Sequence, residues 1–168
     1  MKSSRTTFSL VVLTSLLLCV TATAQQTTAA ITLEMLDGSK TTYTIDQLRQ
    51  MPQHSVTIVN PHSQPIERYE GVHLSDLLQK AGAPSGDKLR GDEMRDYVEV
   101  TGRDGYKAVF ALAELDPAFQ DSKVLVAIAS DGKALDEKLG PVRVVAPQDK
   151  RPARSVRMVS SIALRRAP

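Results

Sequence analysis

Four cations lie close together in residues 148–157, and this cluster is the feature of the sequence best suited to bind a ligand. They are Lys150, Arg151, Arg154 and Arg157, with Asp149 as the only acid among them. Ammonium and guanidinium groups bind phosphates and carboxylates, so the cluster indicates an anionic ligand. The alternative is internal charge pairing. Residues 25–137 hold 11 Lys or Arg and 18 Asp or Glu, whereas residues 138–168 hold 8 and 1.

Apolar runs on either side of this cluster predict the strands that position it. The first run is VRVVA at residues 142–146, ended by Pro147, and the second includes Val156, Val159, Ile162 and Leu164. β-Branched residues in short runs bounded by Gly and Pro are typical of strands. A ligand would then lie against the loop at 148–157, and ordering of the loop would signal its binding.

The rest of the chain predicts further strands and a few short helices. Alternating apolar residues around Asp37-Gly38 and around Gly102–Gly105 indicate two hairpins, and the apolar run 123–128 indicates a buried strand. Thr44 and Gln47 predict a capping box for one short helix. Leu74, Leu77, Leu78 and Ala81 predict a second helix, which Gly82 ends. Seven or eight strands with two or three helices predict an α+β fold with a mixed or antiparallel sheet.

The N-terminus has the pattern of a secretory signal. Lys2 and Arg5 precede an apolar run at 8–20, and Ala22-Thr23-Ala24 follows as a cleavage site. We therefore expect residues 1–24 to be a signal peptide, residues 25–168 to form one domain, and the protein to be periplasmic or secreted. No later stretch reaches the ~20 apolar residues of a membrane-spanning helix. Cys19, the only cysteine, would leave with the signal, and so would the only thiolate.

Motifs for hydrolysis or nucleotide binding are absent. The sequence has no HExxH, no glycine-rich phosphate loop and no GxSxG, and its three histidines show no spacing typical of a metal site. We therefore predict no metal ligands and no catalytic residues. His62, in the polar loop 60–65, is placed to meet a ligand, whereas His73 begins a helix and is expected to be structural. Export argues against a nucleic-acid partner.

Three blocks of sequence carry a resemblance to a known family. They are YEGVHLSDLLQKAGA from Tyr69, VTGRDGYKAVFALAELDP from Val100, and GPVRVVAPQDKRPARSVRMVSSIAL from Gly140. In this order and spacing they resemble the molybdopterin-binding domain of the sulfite oxidase family. The resemblance implies that family's fold, a mixed β-sheet or half-barrel with short helices, over nearly all of residues 25–168.

The resemblance also implies a set of cofactor-binding residues. The arginine of the family's G-x-P-x-R run corresponds to Arg143. The residues around the cofactor's phosphate correspond to Arg154, Ser155 and Arg157. An acidic residue that contacts the cofactor corresponds to Asp104. A carboxylate accepts hydrogen bonds from a pterin's amino-pyrimidine edge, and the ring of Tyr106 can stack on it. Lys150, Arg151 and His62 complete the predicted site. Structural roles are the alternatives: an ion pair for Arg143, turn formation for Asp104, and core packing for Tyr106.

The family's molybdenum ligand has no counterpart here. In the family a cysteine of an early loop binds the metal, and the corresponding residues are Asn60-Pro61-His62. The resemblance without the cysteine predicts a pterin or molybdopterin-like ligand without molybdenum, and loss of oxygen transfer. We expect an exported, non-catalytic pterin-binding protein that serves as a sensor for a membrane-anchored signalling partner. The alternatives are a molybdopterin-dependent oxidoreductase or its subunit, and an interaction module without a ligand.

Overall fold

The computed structural model describes residues 30–59 and 66–168. The predicted signal peptide and the loop that carries His62 lie outside these residues. Within the described part of the chain, no helix is long and apolar enough to cross a membrane.

The described residues form short strands and shorter helices. In chain order the elements are β1 (Ile31–Glu34), β2 (Lys40–Tyr43), α1 (Ile45–Arg49), β3 (His54–Val59), β4 (Ile66–His73), α2 (Leu74–Lys80), β5 (Asp96–Gly102), β6 (Lys107–Ala111), α3 (Leu112–Leu115), β7 (Leu125–Ser130), β8 (Lys133–Ala134), β9 (Arg143–Val145) and β10 (Val159–Arg166). Single 3₁₀ turns lie at Gly86–Lys88, Gly91–Arg95 and Pro152–Arg154.

The strands form two sheets. The first has the order β2-β1-β10-β5-β6, in which β1 and β10 are parallel and the other pairs are antiparallel. The second has the order β3-β4-β7-β8, with β9 also paired to β7. β4 and β7 pack closely at Gly71, where a Cβ atom would lie 2.1 Å from the carbonyl oxygen of Val126. A side chain at this position would force the two strands apart.

The apolar core explains the strand alternation. β5 alternates buried and half-buried residues along its whole length, as a strand with one face on a core does. The core joins residues of the first sheet, such as Ile162 and Val98, to the apolar face of α2 and to Val126 and Val144 of the second sheet. A smaller cluster surrounds the buried Tyr69.

The α+β class and the mixed sheet are confirmed. The capping box is present: Gln47 N–H donates to Thr44 Oγ1 at 3.2 Å, and Thr44 N–H donates to Gln47 Oε1 at 2.9 Å. The strand β4 was not predicted, because residues 66–73 do not alternate apolar and polar side chains. Charged residues lie on both of its faces: Glu67 lines the cleft described below, whereas Arg68 and Glu70 lie 3.6 Å apart on the other face.

Candidate functional site

A cleft of about 750 Å³ lies where one end of the second sheet meets the turn between β5 and β6 and the loop between β9 and β10. Its walls combine cations, carboxylates and apolar side chains. The lining residues are Thr57, Ile58, Val59, Glu67, Tyr69, Asp104, Tyr106, Leu139, Arg143, Ala146, Pro147, Asp149, Lys150, Pro152, Ala153, Ser155 and Arg157. Six predicted site residues are therefore brought together: Asp104, Tyr106, Arg143, Lys150, Ser155 and Arg157.

Arg143 is buried in the cleft wall and lies against Tyr69. One terminal guanidinium nitrogen donates to the Tyr69 hydroxyl, and the guanidinium carbon lies 4.8 Å from the centroid of the Tyr69 ring. The Tyr69 hydroxyl in turn donates to Glu67 Oε2 at 2.8 Å. Burial and, after it, the hydrogen bond to Glu67 raise the pKa of Tyr69 to about 12. Tyr69 is therefore a neutral phenol that links a cation to a carboxylate.

The remaining hydrogen-bonding capacity of Arg143 points to a ligand. Among the described residues, Arg143 Nε is a buried polar side-chain atom without a hydrogen-bond partner. Leaving a buried donor unpaired costs about 1–3 kcal/mol, more for a charged group. An acceptor that enters the cleft beside Arg143 would remove this cost.

Asp104 and Tyr106 line the cleft from the turn between β5 and β6, and each also has a structural role. Asp104 Oδ1 accepts from Tyr106 N–H at 3.0 Å, so this carboxylate shapes its own turn. The Tyr106 hydroxyl donates to the carbonyl of Ala153 at 2.6 Å and ties the turn to the facing loop. Both residues are exposed, so their free carboxylate oxygen and ring face remain open to a ligand.

Gly102 allows the turn and the loop to approach each other. A Cβ atom at this position would lie 2.7 Å from Asp104 Oδ1 and 2.9 Å from the carbonyl oxygen of Arg157. These distances are shorter than van der Waals contact. A larger residue at position 102 would therefore displace two residues that line the cleft.

Lys150, Ser155 and Arg157 line the loop side of the cleft. Lys150 and Arg157 are exposed, and with Arg143 they supply the positive charges of the cleft. Ser155 Oγ accepts from Ala146 N–H at 3.1 Å, so its hydroxyl still has a proton to donate. Arg151 is exposed and does not line the cleft.

Arg154 does not line the cleft either, contrary to its predicted contact with a phosphate. Its guanidinium donates to both carboxylate oxygens of Asp149 at 2.9 and 2.7 Å and to Glu114 Oε1 at 2.6 Å. It also lies 4.6 Å from the centroid of the Phe110 ring. The hydrogen bonds to Asp149 and Glu114 raise the pKa of Arg154. Arg154 is thus a clamp that holds the loop against β6 and α3.

The loop is therefore held in place without a ligand. Besides Arg154 and Tyr106, a backbone hydrogen bond of 2.9 Å from Val144 N–H to the carbonyl of Val156 closes its base. A loop that becomes ordered on ligand binding would lack such contacts. The geometry does not support our expectation of ligand-dependent ordering.

Part of the charge asymmetry is internal pairing, as the alternative interpretation predicts. Arg165 donates to Glu34 at 2.7 Å, and Arg166 binds the buried Asp96 through two hydrogen bonds of 2.6 and 3.0 Å. With Arg154, three C-terminal arginines thus neutralise acids of other segments. Arg143, Lys150 and Arg157 are the cations that line the cleft.

Sequence reasoning missed Glu67 and Tyr69. Both belong to β4, whose side chains alternate between the two faces of the second sheet. The motif E-x-Y was the available signal, because residues two apart on a strand share a face. Because no strand was predicted for residues 66–73, the shared face of Glu67 and Tyr69 could not be inferred.

The cleft fits a pterin that carries an anionic group. Asp104 can accept from the amino-pyrimidine edge, while Arg143, Lys150 and Arg157 can bind a phosphate. The unpaired Arg143 Nε supports this fit. For molybdenum the donor set does not fit the sulfite oxidase pattern, because residues 30–168 contain no cysteine.

Comparisons with known proteins agree with this architecture. The family model described as "Oxidoreductase molybdopterin binding domain" matches residues 19–168. No curated protein sequence gives a significant match.

Among solved structures, the chain is similar to the crystal structure of the sulfane dehydrogenase SoxCD from Paracoccus pantotrophus. The TM-score is 0.61 at 19% sequence identity, over 81% of this chain and 38% of that chain. At this identity the likeness shows the fold. The present chain spans well under half the length of that relative.

Proposed function

Since the chain belongs to the oxidoreductase molybdopterin-binding domain family, we propose that its cleft binds a pterin of the molybdopterin type. The observation that carries the proposal is the unpaired Arg143 Nε in a cleft that Asp104 and Tyr106 also line. Cations and an acceptor in one cleft match a ligand with a donor edge and an anionic tail. Apolar lining residues such as Ile58 and Pro147 exclude water from its ring.

We propose further that the protein does not catalyse oxygen transfer. In the family a protein thiolate completes the metal's ligand set, and this chain's one cysteine, Cys19, lies within the proposed signal peptide. Without a thiolate at the cleft, the chain's own residues can bind and orient the pterin, and they supply no sulfur to a metal.

The proposed setting is the periplasm, where the protein would report pterin to a membrane-anchored signalling partner. Export is supported by the pattern of residues 1–24. For a sensor, the partner must distinguish the occupied cleft from the free one. Because the loop is already clamped by Arg154, we place the difference in the exposed charges of Lys150 and Arg157, which an anionic ligand would neutralise.

Binding of a pterin to the purified protein tests this proposal. We would titrate pterin-6-carboxylate, an oxidised pterin that carries an anionic group, following quenching of its fluorescence. The chain has no tryptophan, so protein emission does not interfere. Asp104→Asn and Arg157→Ala should each weaken binding at least about tenfold, the effect of removing one charge-assisted hydrogen bond.

Arg103→Ala is the matched control, because Arg103 lies in the same turn and does not line the cleft. Its affinity should equal that of the unaltered protein. Equal affinity in all three variants would contradict the proposed site. Molybdenum in stoichiometric amount with the pterin would favour the alternative of an oxidoreductase or its subunit.

A further inference from the structure

A second cluster of chemically active side chains lies away from the cleft, at the start of β3. It consists of His54, His73 and Asp76, whose ligand atoms all lie within 4.8 Å of one another. The cleft is lined by the other end of β3, from Thr57 onward. Three residues of a strand span about 10 Å, so the cluster is separate from the pterin site.

The topology of the second sheet brings these residues together. His54 pairs with Gly71 in the β3–β4 ladder, and His73 lies two residues farther along β4 on the same face. β4 ends at His73, which is the N-cap of α2, and Asp76 follows in the first helical turn. Residues three apart at a helix start share a face. Spacing along the sequence did not reveal this arrangement, because the three residues belong to three elements.

The observed contacts are close to those of a metal site. His54 Nε2 lies 3.1 Å from Asp76 Oδ2. Ligand bonds of about 2.0–2.2 Å in a tetrahedral site place ligand atoms about 3.4 Å apart, close to this distance. The His54 side chain and the Asp76 side chain are each 36% exposed, so an ion from solvent can reach them.

We propose that His54, His73 and Asp76 bind a divalent transition-metal ion of the Zn²⁺, Ni²⁺ and Cu²⁺ class. Two imidazole nitrogens and one carboxylate oxygen suit these ions, and the exposed side of the cluster leaves a position for water. The bound ion would join the start of β3 to the first turn of α2.

Binding requires one imidazole to turn. The two rings are stacked with centroids 3.8 Å apart and planes 9° apart. A metal ion lies in the plane of each imidazole that binds it, so two parallel rings cannot both direct a nitrogen at one ion. Rotation of the accessible His54 ring about its Cβ–Cγ bond breaks the stacking. One nitrogen of each imidazole can then bind the same ion.

Calorimetric titration of the chelator-treated full-length protein with Zn²⁺ tests the proposal. We expect one ion per chain, and an affinity at least about tenfold weaker in His54→Asn, His73→Asn and Asp76→Asn. Asp46→Asn is the matched control, since it makes the same change in the first turn of α1, and it should bind as tightly as the unaltered protein. Absence of zinc binding, or equal affinity in the three cluster variants, would overturn the proposal.

Cu²⁺ as a spin probe distinguishes this site from any other histidine. Its paramagnetic resonance spectrum should show coupling to two imidazole nitrogens, and to one in His54→Asn. Loss of the copper signal in His62→Asn with full retention in His54→Asn would contradict the assignment. Thermal unfolding without metal identifies any variant that fails to fold. Pterin affinity should be the same with and without Zn²⁺, so the result is independent of the proposed function.

Discussion

The guanidinium of Arg143 lies over the ring of Tyr69, with its central carbon 4.8 Å from the ring centroid, and donates to the Tyr69 hydroxyl. This pair joins β9 to β4 across β7. The Tyr69 hydroxyl donates in turn to Glu67 Oε2 at 2.8 Å. The pair therefore fixes an arginine at the wall of the cleft while leaving its Nε for a ligand.

Removing the Tyr69 hydroxyl should destabilise the protein. Tyr69→Phe leaves a buried terminal nitrogen of Arg143 without this acceptor, which costs about 1–3 kcal/mol. Urea unfolding followed by circular dichroism measures the change. Tyr97→Phe is the control, because Tyr97 is half-buried in β5, and its effect should stay within about 0.5 kcal/mol. Equal stability of the two variants would contradict the role of the Tyr69 hydroxyl.

Alkaline pH should lower the stability of the folded protein, because Tyr69 must then ionise. Its pKa is raised from 10.0 to about 12 in the folded state. Above pH 10 the unfolded chain therefore loses this proton before the folded chain does, and stability falls as pH rises to about 12. The loss from this group is about 2–3 kcal/mol. Phenolate absorbance should show a tyrosine that ionises near pH 12, and Tyr69→Phe should remove that phase.

Loss of the Arg154 clamp should loosen the loop. Arg154→Ala removes the hydrogen bonds to Asp149 and Glu114, and at a half-exposed site we expect a cost of about 1–2 kcal/mol. Hydrogen exchange of residues 146–158 should accelerate while that of β7 stays slow. Arg49→Ala is the control: it removes an exposed ion pair with Asp46 and should leave hydrogen exchange in the loop unchanged. Unchanged loop exchange in Arg154→Ala would show that the clamp does not hold the loop.

Gly102 should be required for the cleft. Gly102→Ala places a Cβ within 3 Å of both Asp104 and the Arg157 carbonyl, so we expect pterin affinity to fall by about tenfold or more. Gly82→Ala is a useful contrast: it is strained by a φ of 95° but has no neighbour within 4 Å. Gly82→Ala should lower stability and leave affinity unchanged. The reverse pattern would contradict the role of Gly102.

The sequence was sufficient for the fold where one residue pattern controls one element. Thr44 and Gln47 predict the start of α1, because a capping box is a local interaction. β4 could not be predicted in this way, since charged residues lie on both of its faces and its neighbours β3 and β7 decide its pairing. Strand formation depends on such partners more than on intrinsic preference.

The same distinction applies to the site. Asp104 and Tyr106 were predicted from the resemblance, because they lie in one of the blocks that carry it, and both line the cleft. Arg154 and Arg157 look alike in sequence, and only packing against Glu114 and Phe110 separates the clamp from the cleft residue. The pairing of Arg143 with Tyr69 spans 74 positions, so spacing along the chain carried no sign of it.

The most direct test of the account is the small-molecule content of the protein isolated from its native cells. Denaturation should release pterin, measured by its fluorescence after oxidation, at close to one per chain, with molybdenum far below that amount. An Asp104→Asn/Arg157→Ala double variant should carry little pterin. Equal amounts of molybdenum and pterin, or pterin retained by the double variant, would contradict the central claim.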